Sequence, residues 1–543
     1  MSTLTLPLSF RRLPSPHPVS IEWLALAASL YFTLVGSRVA WQRMLDGRDM
    51  SDPATWRLVG GLFVAVAAFQ FIVLAAVLTR RTARAVLSVL LVGTALASHF
   101  MQAYGVFLDA AMLRNVLHTD VREARELLSW PLAAHVAWQA GVPLLLLWRT
   151  PIAERSWPLA ASRRGMAMAA AAAVCAMALL AQFQEASALV RNHREWRYLV
   201  APSNYLYALG RVVAGDASAS AHPLQPIGTD AVLGPTWPAR TKPVLLVLVV
   251  GETARSANWG LNGYARQTTP ELAQVPDLLN FPDVQACGTS TEVSLPCMFS
   301  PGGRHDYDEA RIRGHESLLH VLAHAGFQVL WRDNQSGCKG VCAGLASEQL
   351  QTMDEALVDG LDARVAGAGA NRVLVLHELG SHGPAYADRY PAAYARFEPA
   401  CHSSELRQCS PQQIVNAYDN SLLYTDHVLA RVIGFAQSMQ PRYDTAVVYV
   451  SDHGESLGEY NLYLHGMPRA IAPREQTQVP MVMWLSAGLR HGLSLDSGCL
   501  RERAMRPASH DHLFHTMLGL ADVTTSVYDA RFDITAPCRI PPA

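Results

Sequence analysis

Three short runs carry the residues best suited to chemistry. Val244–Val250 is uninterrupted apolar sequence that ends in Gly251 and delivers Glu252. Val373–Leu376 delivers His377 and, past Gly380 and Ser381, His382; Ala446–Val450 delivers Ser451, Asp452 and His453. A short, uncharged, β-branched run bounded by Pro243 and Gly251 reads as a strand buried on both faces, hence a parallel sheet in an α/β domain. Ligands of such sheets sit beyond the carboxyl ends of the strands. The runs therefore bring Glu, His and Asp-His to one rim, the residue types of a metal site. Asp452 and His453 are adjacent where the chain leaves the sheet and stops alternating faces, so both can reach one ion. A fourth segment, ACGTSTEVSLPCMFSPGG, is dense in hydroxyls (Thr289, Ser290, Thr291, Ser294) between Cys287 and Cys297. A hydroxyl at a helix N-terminus beside a divalent cation can be held as an alkoxide, since cation and dipole both favour the anion. Alone, the segment fits an ST-rich capping turn better than a catalytic one.

The elements that must position these residues follow a membrane region. The chain has 543 residues, half of them hydrophobic, and a net charge of −1, so no global field points to nucleic acid. Mean hydropathy is positive, and the apolar excess lies in the first third. Segments 58–79, 131–148 and 165–184 hold no charged residue; 85–108 has only His99 as an ionisable group, and 21–37 has Glu22. Each is close to the ~20 residues that cross a bilayer, which predicts five spans within residues 1–187. Arg11 and Arg12, Arg80, Arg81 and Arg84, and Arg149, Arg155, Arg163 and Arg164 fall on one side. That side should be cytoplasmic, leaving the C-terminal part outside. The opposite loop also holds arginines, accompanied by Asp46, Asp49 and Asp52. The first apolar segment lacks a small-residue cleavage site and reads as a retained span.

Residues 188–240 form a bridge. Trp196, Tyr198, Tyr205 and Tyr207 with Arg191, Arg194, Arg197 and Arg211 suit a helix lying in the headgroup layer, or an ordinary amphipathic helix. Asp216–Pro238 has linker composition. Residues 241–543 suffice for one α/β domain. Of nine cysteines, Cys175 lies in the fifth span; the rest fall into pairs Cys287–Cys297, Cys338–Cys342 and Cys401–Cys409, leaving Cys499–Cys538. An even count in an exported domain reads as a disulfide framework, with metal ligation by the Cys338 and Cys342 pair as the lesser alternative.

The motifs VVGETARSANWGLNGYARQTTP, CGTSTEVSLPCMFS, DNQSGCKGVC, HELGSHGPAY and VSDHGESLGE with YLHGMP resemble those of the lipid A phosphoethanolamine transferases, which include the mobile colistin-resistance enzymes. The resemblance implies a five-helix membrane domain followed by a periplasmic domain of alkaline phosphatase/sulfatase-like fold in a bacterial inner membrane. It implies a tightly bound zinc ion held by Glu252, Asp452, His453 and Thr291, with Thr291 rather than Thr289 as nucleophile, and room for a second zinc. His382 and His465 match histidines near the leaving group or second metal, and His377 and Lys339 match substrate-pocket residues. Asn115 and Glu123, in NVLHTDVREARELL, match positions implicated in phospholipid binding. Glu292 departs from the family pattern, in which a smaller residue is usual beside the nucleophile. The reaction implied is transfer of phosphoethanolamine from phosphatidylethanolamine to a phosphate of lipid A by a monomer embedded among membrane lipids, with diacylglycerol released and polymyxin resistance conferred. A glycan or protein acceptor, with phosphoethanolamine or phosphoglycerol transferred, is the alternative. A sulfatase needs Cys/Ser-x-Pro-x-Arg at the nucleophile, which CGTSTEVSLPC does not supply. A non-catalytic receptor of this fold would be expected to have lost a ligand.

Overall fold

The computed structural model describes residues 18–540, apart from 47, 120, 184, 187–193, 221–222 and 367–368, with some further side chains left out. Two compact units emerge, Met1–His99 with Trp130–Asn204, and Phe100–Ser129 with Tyr205–Ala543.

Among the described residues, four helices are long and apolar enough to cross a membrane: Pro53–Val77, Ala83–Tyr104, Trp130–Arg149 and Trp157–Ala181. Ile21–Gly36 and Arg38–Leu45 pass the same test only as one span bent by 51°. Asp52 begins Pro53–Val77, accepting from the Ala54 N–H, with Pro53 in the first turn where its missing N–H costs nothing. Hydrocarbon offers a buried polar group no partner, so such groups must find one within the protein. Gln70 does so: its Oε1 accepts from Thr33 (3.3 Å) and its Nε2 donates to the Ala201 carbonyl (2.9 Å), which also receives the Ser37 hydroxyl (3.1 Å).

The second unit is built on β-structure: β1 (Val232–Leu233), β2 (Val244–Gly251), β3 (Leu279–Gln285), β4 (Gln328–Asp333), β5 (Ala346–Gln349), β6 (Arg372–His377), β7 (Asp444–Ser451), β8 (Ser456–Leu457), β9 (Tyr463–Leu464), β10 (Gln478–Leu485), β11 (Ala508–Ser509) and β12 (Val523–Thr524). Eight of them form one sheet in the order β11-β3-β10-β7-β2-β6-β4-β5. β2 lies parallel between β6 and β7, while β10 runs antiparallel to both its neighbours. Every residue of β2 is buried, and alternate residues serve two cores. Val244, Leu246, Leu248 and Val250 join Leu295, Met298, Phe299 and Phe514 on one face. Leu245, Val247 and Val249 join Tyr418, Leu422 and Val432 of helix Pro411–Ser438 on the other. Each such side chain contributes about 1.5–3 kcal/mol by leaving water, which is why the run contains no polar residue.

The bridge differs from the linker its composition suggests. Helix Ser203–Ser220 extends into it, and β1 pairs antiparallel with β12, Val232 opposite Thr524. The partner strand is so distant in sequence that local composition carries no sign of it.

Beyond β6 the backbone turns at Gly380, where φ is +53° and an added Cβ would lie 2.6 Å from the Glu252 carbonyl oxygen. A side chain in this left-handed region costs about 1–2 kcal/mol before any contact is counted. Gly380→Ala should therefore lower stability by at least that amount and displace Glu252. A thermal unfolding midpoint equal to that of the unaltered chain would contradict the tightness of this turn.

Candidate active site

Register assembles the site. Gly251 at the end of β2 pairs with Ser451 at the end of β7, so the next residues, Glu252 and Asp452, emerge side by side, and the Asp452 N–H donates to the Gly251 carbonyl (2.9 Å). With His453 they form the one group of metal-ligating side chains among the described residues, their ligand atoms within 4.8 Å of one another and all buried. His453 Nε2 lies 3.2 Å from Glu252 Oε1 and 3.4 Å from Asp452 Oδ2. Its Nδ1–H is committed to the Gly454 carbonyl (2.9 Å), which leaves Nε2 to face the carboxylates. Asp452 Oδ1 accepts from the His453 N–H (2.7 Å) and the Thr253 N–H (3.3 Å), whereas Oδ2 is buried without a hydrogen-bond partner.

The electrostatics are those of a site with excess negative charge. Burial, and then the charge of Glu252, push the Asp452 carboxyl up. Burial alone would lower the His453 pKa, but Asp452 and Glu252 overcome it and lift it to about 10. Two carboxylates, one imidazole and an orphaned carboxylate oxygen fit a divalent cation of the zinc type.

Thr291 is the first residue of helix Thr291–Met298, with Ser290 at the N-cap. Its Oγ1 lies 3.0 and 3.2 Å from the two Glu252 oxygens and 3.4 Å from His453 Nε2. Thr289 points elsewhere, donating to the Met467 carbonyl (2.6 Å). Ser294 accepts from the Gly288 N–H (2.9 Å), closing the turn that Cys287 and Cys297 join covalently. Cys338–Cys342, Cys401–Cys409 and Cys499–Cys538 are joined as well, and Cys175 is free.

Around this centre the His465 ring lies 4.3 Å from that of His453 and 5.4 Å from that of His382. Burial, then nearby positive charge, holds both His382 and His465 well below the usual imidazole range. Glu123, on helix Val121–Glu126, reaches within 4.0 Å of His382 Nε2. Lys339 Nζ donates to the Ser336 hydroxyl (2.7 Å) and lies 3.9 Å from Glu292 Oε2. Asn115 stands on helix Ala110–His118; among the described residues its side chain hydrogen-bonds to none of the others named here.

His377 is not in the ligand group. It ends β6 opposite Asp333, the last residue of β4, and its Nδ1 lies 3.1 Å from Asp333 Oδ2. Asp333 escaped the sequence reading, although the same strand-end rule applied to β4 would have found it. Glu455 escaped it too: its Oε2 lies 3.3 Å from His465 Nδ1, and its signal was its place in the DHGES run.

Fold and site together define a polytopic membrane protein whose second unit is an α/β domain with a buried acidic cluster able to hold a metal, beside a helix-borne hydroxyl. A family described as Sulfatase matches residues 245–523, and one described as Phosphoethanolamine transferase EptA/EptB matches residues 66–217. The chain is 36% identical over 464 residues to phosphoethanolamine transferase EptA of Escherichia coli (strain K12), covering 83% of this chain and 84% of that one. It is 36% identical over 466 residues to phosphatidylethanolamine transferase Mcr-1 of Escherichia coli, covering 82% and 84%. Its structure is similar to that of the integral membrane protein lipooligosaccharide phosphoethanolamine transferase A (EptA) from Neisseria meningitidis, with a TM-score of 0.92 and 34% identity across 96% of this chain and 100% of that one. The chain is a transferase and belongs to the lipid A phosphoethanolamine transferase family, in the alkaline phosphatase/sulfatase superfamily.

The His377–Asp333 pair sets a pH dependence. Burial would raise the Asp333 pKa, but His377 holds it far below the ordinary value. Burial would lower that of His377, but Asp333 raises it. A depressed acid stabilises the fold above its unfolded pKa and loses that as pH falls; a raised base stabilises below its unfolded pKa and loses that as pH rises. The pair therefore contributes fully between about pH 4 and pH 6.5. Asp333→Asn should flatten both limbs of the unfolding midpoint against pH, and identical profiles for the two proteins would contradict this pairing.

Proposed function

We propose that this chain transfers phosphoethanolamine from phosphatidylethanolamine to a phosphate of lipid A and releases diacylglycerol. The observation that carries the reading is the Thr291 hydroxyl, at a helix N-terminus and 3.0 Å from Glu252 in the pocket that Asp452 and His453 share. The relatives' names support the substrates: Mcr-1 is named for phosphatidylethanolamine and the meningococcal protein for lipooligosaccharide. Glu252, Asp452, His453 and Thr291 would hold one zinc ion tightly, and His382 and His465 would be the residues to hold a second. Bound there, zinc would lower the pKa of the threonine hydroxyl and draw charge from the phosphoryl oxygens.

The chemistry of the chain's own groups follows in two displacements. Thr291 Oγ1 passes its proton to the Glu252 carboxylate 3.0 Å away and forms a bond to phosphorus as the bond from phosphorus to the diacylglycerol oxygen breaks. That oxygen takes up a proton through His382 or His465; burial and nearby positive charge favour the neutral imidazole in both, so each would relay a proton rather than store one. Lys339 and His377 bear on the phosphoryl group, and Asn115 and Glu123 on the phospholipid. A lipid A phosphate oxygen then attacks phosphorus, the Thr291–phosphorus bond breaks, and Thr291 recovers a proton. All three lipids stay at one surface, so a site tethered there gains effective concentration.

This reading sets five spans within residues 1–187, a bridge at 188–240 and a periplasmic catalytic domain at 241–543 of a monomer in a bacterial inner membrane. Adding phosphoethanolamine lowers the negative charge of lipid A and hence its attraction for cationic peptides such as polymyxin.

Donor supplied without lipid A should release diacylglycerol and leave a phosphoethanolamine ester on the peptide between Cys287 and Cys297, detected by mass spectrometry. Thr291→Ala should form no ester and turn over at least about 1000-fold more slowly, while Thr289→Ala retains both activities. An ester on Thr289, or brisk transfer by Thr291→Ala, would sink the assignment.

A further inference from the structure

Glu292 is left over by this chemistry. It follows Thr291 on the same helix, its carboxylate is 1% exposed, and an uncompensated charge there would be costly and would oppose ionisation of the neighbouring hydroxyl. Side chains from three separate segments face it. Arg313 donates from one nitrogen both to Glu292 Oε1 (2.9 Å) and to the Glu292 carbonyl (2.6 Å). His118 Nδ1 lies 3.2 Å from Oε1, and Lys339 Nζ 3.9 Å from Oε2.

The contacts continue. Arg313 Nε donates to Glu309 Oε1 (3.3 Å), and Glu309 is also bound by Arg114, a side chain only 6% exposed. Arg114 and His118 are both on helix Ala110–His118, one turn apart and therefore on one face. The contacts close into a ring: helix Ala110–His118 reaches Glu309 through Arg114 and Glu292 through His118, and Arg313 joins the two carboxylates. Asn115 lies between the two ring members on that helix. The ring thus links the helix carrying Asn115, the helix carrying Thr291 and, through Lys339, the Cys338–Cys342 loop. Thr291 Oγ1 has its own partners, Glu252 and His453, none of which belongs to the ring.

We propose that this ring positions the donor: Glu292, Arg313 and His118 are positioning residues that hold the phospholipid-binding helix and Lys339 in register with the nucleophile. The inference rests on the assignment of Asn115 and Lys339 to the donor under Proposed function. Because the ring orders binding groups and leaves the reacting oxygen alone, cutting it should weaken donor binding more than turnover. Glu292, which leaves the family pattern, is explained by partners that no neighbouring residue in the sequence supplies.

The test is steady-state transfer by the full-length protein, with phosphatidylethanolamine varied in detergent micelles and lipid A in fixed excess. Arg313→Gln should raise KM for the donor about 5- to 20-fold and leave kcat within about threefold. Arg313→Lys keeps the charge but loses the fork that spans two carboxylates, so its KM should fall between the two. If Arg313→Gln does not fold, His118→Gln cuts the ring at its half-exposed link, and KM must rise there too. A fall in kcat with KM unchanged, or an unshifted KM in His118→Gln, overturns the ring's role. An unaltered protein that transfers nothing to lipid A would instead sink the underlying function, so the two failures are distinguishable.

Discussion

Two carboxylates buried side by side repel one another unless positive charge joins them. Glu252 and Asp452 are such a pair, and the second unit is arranged to create it. In-register pairing of β2 and β7 puts the two side by side, burial removes water, and His453 then brings an imidazole whose Nδ1 is already committed. The remaining negative excess appears in the lifted His453 pKa and in the unpartnered Asp452 oxygen. Such a cluster is costly without a counter-charge, which is what makes Glu252, Asp452 and His453 the candidate cation site.

Each outer shell serves that cluster. The two cores flanking β2 hold the strand ends level, Gly380 lets the next turn pass against Glu252, and a disulfide-closed turn presents Thr291 at a helix N-terminus. Asp333 and Glu455 stand behind His377 and His465 and fix which ring nitrogen each histidine turns outward. Beyond them the Glu292 ring ties in helix Ala110–His118, which lies between hydrophobic spans in sequence but belongs to the second unit by its contacts.

The legible parts were those written in local pattern. Val244–Val250 and Ala446–Val450 read as strands because burial on both faces leaves no polar residue to obscure them, and the strand-end rule then puts Glu252, Asp452 and His453 on one rim. The apolar runs of the first third likewise read as membrane helices, although the 51° bend after Gly36 has no counterpart in composition. Whatever depends on distant pairing was hidden. β1 needs β12, His377 needs the end of β4, and Glu292 looked out of place because Arg313, His118 and Lys339 come from three other segments. Choosing Thr291 over Thr289 rested on resemblance. Geometry adds a physical reason, since only Thr291 faces the carboxylates while Thr289 is held by the Met467 carbonyl.

The central claim is that this centre modifies lipid A with phosphoethanolamine. Mass analysis of lipid A extracted from cells expressing the protein, beside cells without it, tests this most directly. The account predicts that lipid A gains phosphoethanolamine only when the protein is present. Unchanged lipid A under strong expression of the membrane-inserted protein would contradict it and turn attention to a glycan or protein acceptor.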